Sequence, residues 1–149
     1  MSTVAVVLPV HNEEWLIGSV LGQVTDFART REDWRFIFVD DGSSDTTPDL
    51  IREHLDRLET DQIELIRLQP NQGKARAIRG AVLQTNEDLV LFTDGDIAYS
   101  LDHLDAIVEA LGSTDLAIGS RALASGPQTN ITFTRRVVGS SFNLIVRMI

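Results

Sequence analysis

Short β-branched apolar runs alternating with segments of helical period constrain this chain more than any other feature. Val4–Val10 (VAVVLPV) reads as a buried strand, and residues 36–39 and Ile63–Leu68 repeat the pattern. Between the first two runs, Leu16, Ile17, Val20, Leu21 and Val24 recur on one face of a helix predicted over residues 13–24, with Asn12 as its N-cap. A second helix is predicted to open at Pro48 behind Thr47 as N-cap, burying Leu50, Ile51, Leu55 and Leu58. Helices are expected at 74–83 and 101–111, and strands at 89–93 and 116–119. Strands alternating with helices bury both sheet faces best as an α/β fold, a mainly parallel sheet flanked by helices in Rossmann-like fashion. The 149 residues suffice for one domain with a real core, and no repeat, low-complexity tract or linker divides them.

Charge and composition narrow the function. A net charge of −9 argues against nonspecific binding to nucleic acid. Residues 1–114 carry nine basic and 21 acidic side chains, a net of −12, whereas residues 115–149 carry four and one, a net of +3. An acidic body with a basic end suits a protein that meets anions locally, although four arginines are also compatible with ordinary surface scatter. The absence of cysteine excludes disulfides and thiolate sites. No run of 18 apolar residues encodes a transmembrane helix, and MSTVAVVLPV lacks the basic start and cleavage site of a signal peptide. A cytoplasmic location is the expectation.

In parallel sheets ligands gather beyond the carboxyl ends of the strands, and polar clusters collect there in this sequence. The first strand runs into Pro9-Val10-His11-Asn12-Glu13-Glu14, the second into Asp40-Asp41-Gly42-Ser43-Ser44-Asp45, the third into Asn71-Gln72-Gly73-Lys74, and the fourth into Asp94-Gly95-Asp96. Two carboxylates separated by one small residue can hold a hard divalent cation, Mg²⁺ or Mn²⁺, while leaving positions for the phosphate oxygens of a ligand. The same three residues would also make a polar turn. Asp40 and Asp41 point to opposite faces, so at most one need enter a pocket directly. Two such charges about 4 Å apart repel by roughly 1 kcal/mol in water and about 4 kcal/mol at an effective dielectric near 20. The donors of a base or ribose would satisfy that pair, while Asp41-Gly42-Ser43 equally suits a turn before a helix. Gly73-Lys74 opens a helix whose N-terminus favours an anion, and Lys74 can reach a phosphate. Neither GxxxxGK[ST] nor GxGxxG is present, which disfavours a P-loop or a nicotinamide-dependent reductase.

Together, VVLPVHNEE, FVDDGSSDTT, NQGKARAIRGA, LFTDGDIAYS and AIGSRAL resemble the inverting glycosyltransferases with the GT-A nucleotide-binding fold (family 2 type), in order and spacing over nearly the whole chain. Gly119-Ser120-Arg121, Arg135-Arg136 and Ser140-Ser141-Phe142-Asn143 make it most similar to the polyprenyl-phosphate sugar transferases, the dolichyl-phosphate glucosyltransferase type in particular. By this resemblance Pro9, Asn12 and Glu13 line the nucleotide pocket, Asp40 or Asp41 binds base or ribose, and Lys74 lies near the diphosphate. Asp94 and Asp96 would hold the metal, Asp96 more directly. Arg121 and Arg136 would face the acceptor phosphate, with Ser140 beside them, and Asp96, Arg121 and Arg136 would carry catalysis. Arginine suits phosphate through its planar donor fork. Two cations at a helix start oppose its dipole, which favours a bound anion over a merely solvated Arg135-Arg136.

The resemblance implies a metal-dependent hexosyl transfer, with inversion, from a nucleoside-diphosphate sugar to a polyprenyl or dolichyl phosphate. UDP-glucose is the first expectation for the donor and GDP-mannose the second. An acceptor phosphate is already an anion near neutral pH, its second pKa being about 6. It therefore needs no general base, whereas a hydroxyl acceptor would. His11 beside Asn12 reads as structural rather than as that base. Alternatives are a same-fold transferase with a hydroxyl acceptor, or a noncatalytic nucleotide-sugar-binding fragment. A sugar nucleotidyltransferase would carry a Gly-rich, Arg-containing loop where HNEE stands. The family usually continues beyond the point where this chain stops, so the single domain 1–149 is expected to be truncated on its acceptor side. The apolar stretch over residues 137–149 is expected to meet a missing segment, a second copy or the cytoplasmic face of a membrane.

Overall fold

A computed structural model of the chain describes residues 2–58, 60–97 and 100–119. In chain order the elements are β1 (Val4–Val10), α1 (Ile17–Ala28), β2 (Trp34–Asp41), α2 (Thr47–Asp56), β3 (Ile63–Leu68), α3 (Lys74–Val82), β4 (Leu89–Phe92) and α4 (Asp102–Ala110), then a 3₁₀ turn at Leu111–Ser113. All lie within the compact unit Met1–Ala117.

The four strands form one parallel sheet in the order β3-β2-β1-β4. Alternation along the strands divides the core into two layers. Val4, Val6, Leu8 and Val10 of β1, with Phe36 and Phe38 of β2, face α1, α2 and α4, meeting Ile17, Val20, Leu21, Val24, Ile51 and Leu104. Ala5, Val7, Ile37 and Val39 face the other way and pack on Ala77 and Ala81 of α3. Those two alanines let α3 lie close on the sheet, while phenylalanines fill the deeper layer. β1 is buried along its whole length because it has strands on both sides and helices on both faces.

Chain order explains where a ligand can sit. The chain lays β2 and then β3 on one side of β1, and α3 carries it back across to place β4 on the other. The connections therefore diverge between β1 and β4, and in parallel α/β sheets that is the point at the strands' carboxyl ends where ligands bind. Pro9 marks the spot. Even-numbered β1 residues bond toward β2 (Val4 N–H to Asp33 C=O), and odd-numbered ones toward β4 (Leu89 N–H to Thr3 C=O, Thr93 N–H to Val7 C=O). Pro9 thus stands past the end of β4, where its missing N–H costs no ladder bond even in a central strand.

Four expectations need correction. α1 begins at Ile17, not residue 13, and Leu16 is its N-cap residue. Asn12 is not a cap: its φ of 54° places it in the left-handed region, and its side chain is engaged by the next loop. At α2 the cap position is Thr46, with Thr47 the first helical residue; the Thr47 N–H is taken instead by Asp45 Oδ1 at 3.0 Å. Residues 116–119 form no strand, and Leu116 is 74% exposed. A strand persists only on a ladder partner, and among the described residues β4 pairs with β1 alone. β2 also runs further than expected at both ends, because Trp34 pairs with Val4 and Asp41 with Leu68.

Candidate functional site

Four loops at the carboxyl edge of the sheet are joined in a ring, each holding its neighbour through named contacts. The β1–α1 and β2–α2 loops are zipped together. The Asn12 N–H donates to Ser43 Oγ at 2.9 Å, and Asn12 Oδ1 accepts the Ser44 N–H at 2.9 Å. The Glu13 N–H donates to buried Thr47 Oγ1 at 2.8 Å, and the Glu14 N–H to Asp45 Oδ2 at 3.2 Å. Glu14 Oε2 in turn accepts the Thr46 hydroxyl at 2.9 Å. The left-handed backbone at Asn12 lets its side chain reach across, a conformation Asn tolerates better than most residues.

The β2–α2 loop is tied to the β3–α3 loop. Asp41 Oδ1 accepts the Gln72 N–H at 2.8 Å. Gly42, at φ 69°, brings its backbone so near that an added Cβ would sit 2.7 Å from the Asn71 nitrogen. Glycine is required there twice over, by conformation and by space. The β3–α3 loop reaches the β4 loop through an ion pair between Lys74 Nζ and Asp94 Oδ1. The β4 loop closes the ring on β1: a Cβ on Gly95 would lie 2.4 Å from the Pro9 carbonyl oxygen and 2.7 Å from Val10 Cγ1. Ile97 at φ 41° ends this tight turn, its N–H donating to the Asp94 carbonyl at 3.1 Å. Left-handed backbone is costly for a β-branched residue and persists only where packing imposes it; Ile97 is buried in the larger core layer.

This ring brings Pro9, Asn12, Glu13, Asp40, Asp41, Lys74, Asp94 and Asp96 to one edge of the sheet. The adjacent aspartates are the least open part of it, Asp40 fully enclosed and Asp41 4% exposed. Asp40 faces the α1–α2 layer, where its Oδ1 accepts the Ser43 N–H at 3.1 Å. Its Oδ2 lies 3.2 Å from Arg67 Nε as an ion pair, without the alignment of a hydrogen bond. Arg67 also donates to the Ser43 carbonyl at 3.4 Å. The residue pattern gave no signal for Arg67 or Thr46, and it placed Glu14 and Asp45 in the strand-end clusters without a role. The strand period places Arg67 on the same sheet face as Asp40, but only the β2–β3 register (Asp40 opposite Arg67) pairs them. Arg121, Arg136, Ser140 and the stretch 137–149 lie outside the described residues.

Asp94 and Asp96 are exposed, and among the described residues no group of three or more His, Cys, Asp or Glu side chains is placed to cage a metal. Two carboxylates on one turn nevertheless fit a Mg²⁺ or Mn²⁺ that completes its shell with water and phosphate oxygens, because such ions use one or two carboxylates beside substrate phosphates. Negative charge accumulates on the β1 side of the turn. Desolvation raises the Glu13 carboxyl above its ordinary 4.5, and the charges of Asp96 and Asp45 push the same way, with His11 opposing. Asp45 responds in the opposite direction. Burial disfavours its charge, but hydrogen bonds from Thr47 and the Glu14 N–H outweigh that and hold it below the usual range.

The Glu13 shift has a testable sign. Above its raised pKa, Glu13 is charged in folded and unfolded chains alike, and folding bears the full repulsion. As pH falls from that value toward 4.5, the folded chain takes up the proton first and stability is regained. Glu13→Gln is therefore expected to raise the Tm at pH 7 by up to about 3 °C, taking a partly exposed interaction as worth at most about 1 kcal/mol. That advantage should vanish below pH 4.5, as followed by thermal melts across pH. A lower Tm at pH 7 would contradict it.

Comparison with known proteins agrees with this architecture. The family model described as Glycosyl transferase family 2 matches residues 5–148. Dolichyl-phosphate beta-glucosyltransferase of Dictyostelium discoideum is 26% identical over 156 aligned residues, covering 96% of this chain and 48% of that protein. The Saccharomyces cerevisiae protein of the same name is 28% identical, covering 92% and 44%. An undecaprenyl-phosphate 4-deoxy-4-formamido-L-arabinose transferase of Aeromonas hydrophila is 32% identical, covering 72% and 33%. Among solved structures, a mannosyltransferase of Pyrobaculum calidifontis in complex with GDP-Man and Mn²⁺ superposes with a TM-score of 0.67 at 26% identity, over 76% of this chain and 33% of that one. The chain thus spans about half or less of the length of these relatives. With a parallel sheet of the GT-A type and a family match over nearly its whole length, this chain belongs to glycosyl transferase family 2.

Proposed function

We propose that this chain forms the donor side of a transferase that moves a hexose, with inversion, from a nucleoside-diphosphate sugar to a polyprenyl phosphate. The reading is carried by the Asp94-Gly95-Asp96 turn, pinned against Pro9 where the chain connections diverge, with Lys74 of the α3 N-terminus paired to it. A diphosphate entering there would meet carboxylate-bound cation on one side and ammonium plus helix N–H groups on the other. The names of the glucosyl relatives support glucose as the sugar, with UDP as its carrier resting on the family resemblance alone, and the GDP-Man complex of a structural neighbour keeps GDP-mannose second.

Residue roles follow. Pro9, Asn12 and Glu13 line the nucleotide side. Asp41 takes base or ribose donors with the oxygen that Gln72 leaves over, and Asp40 holds the Ser43 turn beneath it. Lys74 binds the diphosphate. Asp94 and Asp96 would hold a Mg²⁺ or Mn²⁺, which when bound would supply charge neutralisation for a departing diphosphate. Arg121 and Arg136, with Ser140, are assigned to the acceptor phosphate on the resemblance alone. An acceptor phosphate oxygen attacks the anomeric carbon as the bond to the diphosphate breaks and its electron pair leaves with that group. No proton need be removed, so the site needs no general base. Among the described residues no helix is long and apolar enough to cross a membrane; the lipid acceptor would be met at the surface of a bilayer.

Calorimetric titration with UDP and GDP, each with and without Mn²⁺, tests the donor assignment. Mn²⁺-dependent binding of one nucleotide is the expected result and names the base. Binding of neither would overturn it, and binding without sugar transfer to a polyprenyl phosphate would favour a noncatalytic module.

A further inference from the structure

Lys74 is paired with a carboxylate that the donor reading assigns to the metal, and it stands at the helix end where the diphosphate of that reading would enter. Its ammonium is paired with Asp94 Oδ1, one of the oxygens assigned above to the cation. Both side chains are more than half exposed, at 56% and 60%. A pair so exposed is weak and exchanges readily. Lys74 is also the first residue of α3, behind Gly73 at φ 87°. It therefore sits where the positive helix end favours an incoming anion and disfavours the ammonium itself. The helix field favours a diphosphate at this end, and the charge of that diphosphate, larger than that of one carboxylate, draws Lys74 from Asp94 to phosphate.

The geometry points to Lys74 as a placeholder cation that holds Asp94 until metal and nucleotide enter together and then moves to the diphosphate. This rests on the donor-site reading above and adds an order of binding to it. A divalent ion arriving alone must displace an ammonium that has no other anion to go to. Arriving with a nucleoside diphosphate, it finds Asp94 released, because the phosphate oxygens accept the ammonium. Metal and nucleotide thus reinforce each other through one side chain, and the coupling is reciprocal.

The test is a pair of titrations on the wild-type chain and on Lys74→Met, which keeps length and loses charge. The first follows Mn²⁺ alone, by the electron paramagnetic resonance signal of the free ion. The second follows UDP or GDP at saturating Mn²⁺, by calorimetry. The two affinities are expected to move in opposite directions. Lys74→Met should bind Mn²⁺ alone about two- to five-fold more tightly, the range of one exposed ion pair. It should bind nucleotide at least about ten-fold more weakly, as expected for loss of a charge-assisted contact. Arg79→Met removes the same charge from the exposed side of α3 and should change neither affinity by more than about two-fold. Unchanged or weaker Mn²⁺ binding by Lys74→Met overturns the exchange, as does equal tightening in Arg79→Met. If the wild-type chain binds Mn²⁺ but no nucleotide, the donor reading fails while the Mn²⁺ comparison still decides whether Lys74 competes for Asp94. If it binds no Mn²⁺ even with nucleotide, both fall.

Discussion

Asp96→Ala is expected to weaken metal-dependent nucleoside diphosphate binding by more than about 100-fold. Groups that merely orient a metal ligand are worth about 10–100-fold in metal affinity, so loss of one of the two carboxylates proposed to hold the metal should exceed that. The fold should survive. Asp96 is exposed on a turn, and its charge is among those that disfavour ionised Glu13, so its removal relieves repulsion. Surface substitutions of this kind usually stay within about 0.5 kcal/mol. Far-ultraviolet circular dichroism and the Tm should match the wild type while the calorimetric signal for nucleotide with Mn²⁺ disappears. Nucleotide binding that persists in Asp96→Ala with its Mn²⁺ dependence intact would remove Asp96 from the metal site.

Gly95→Ala should damage fold and site together, by a different cause. Gly95 has no positive φ to protect; what it lacks is room. The added methyl would stand 2.4 Å from the carbonyl oxygen of Pro9 and 2.7 Å from Val10 Cγ1. Pro9 belongs to the central, wholly buried strand of the sheet, so β1 cannot retreat and the turn must. Overpacking of this kind costs about 1–3 kcal/mol. For a chain of this size that lowers the Tm by about 2–12 °C. Because the displaced segment carries both Asp94 and Asp96, nucleotide binding should fall by an order of magnitude or more even where the protein remains folded. Gly80→Ala supplies the contrast. Nothing lies within 4 Å of its would-be Cβ in the interior of α3, so this substitution should stabilise by about 0.5–1 kcal/mol. A Gly95→Ala protein with wild-type Tm and nucleotide affinity would mean that the turn is not held against β1.

Several elements were legible in the residues alone because their signal is local. Val4–Val10 is apolar at every position and bounded by polar residues, so burial on both faces leaves it no other role. The stripe Ile17, Val20, Leu21, Val24 is buried as its spacing implies. The polar clusters at four strand ends converge because a parallel sheet presents all its carboxyl ends on one edge. Other features carried no local signal. Asn12 before an apolar helical stripe has the pattern of a cap, yet its partners are Ser43 and Ser44, about thirty residues away, and those long-range bonds draw it into left-handed backbone. Residues 116–119 have the composition of a strand but no ladder partner among the described residues. Pairing is a property of two segments, which neither encodes separately.

Residue chemistry thus dictated the alternation of strands and helices, the inward faces and the edge where function gathers, since hydrophobic period and strand polarity are written along the chain itself. Folding in three dimensions made the rest: the return of α3 that sets β4 beside β1, the pairing of Arg67 with Asp40, the burial of both adjacent aspartates, and the closure of Gly95 on Pro9 and Lys74 on Asp94. Each of these is a contact between segments far apart in sequence. Such contacts are selected by the packing of whole layers, and no window of neighbouring residues contains the information that chooses them.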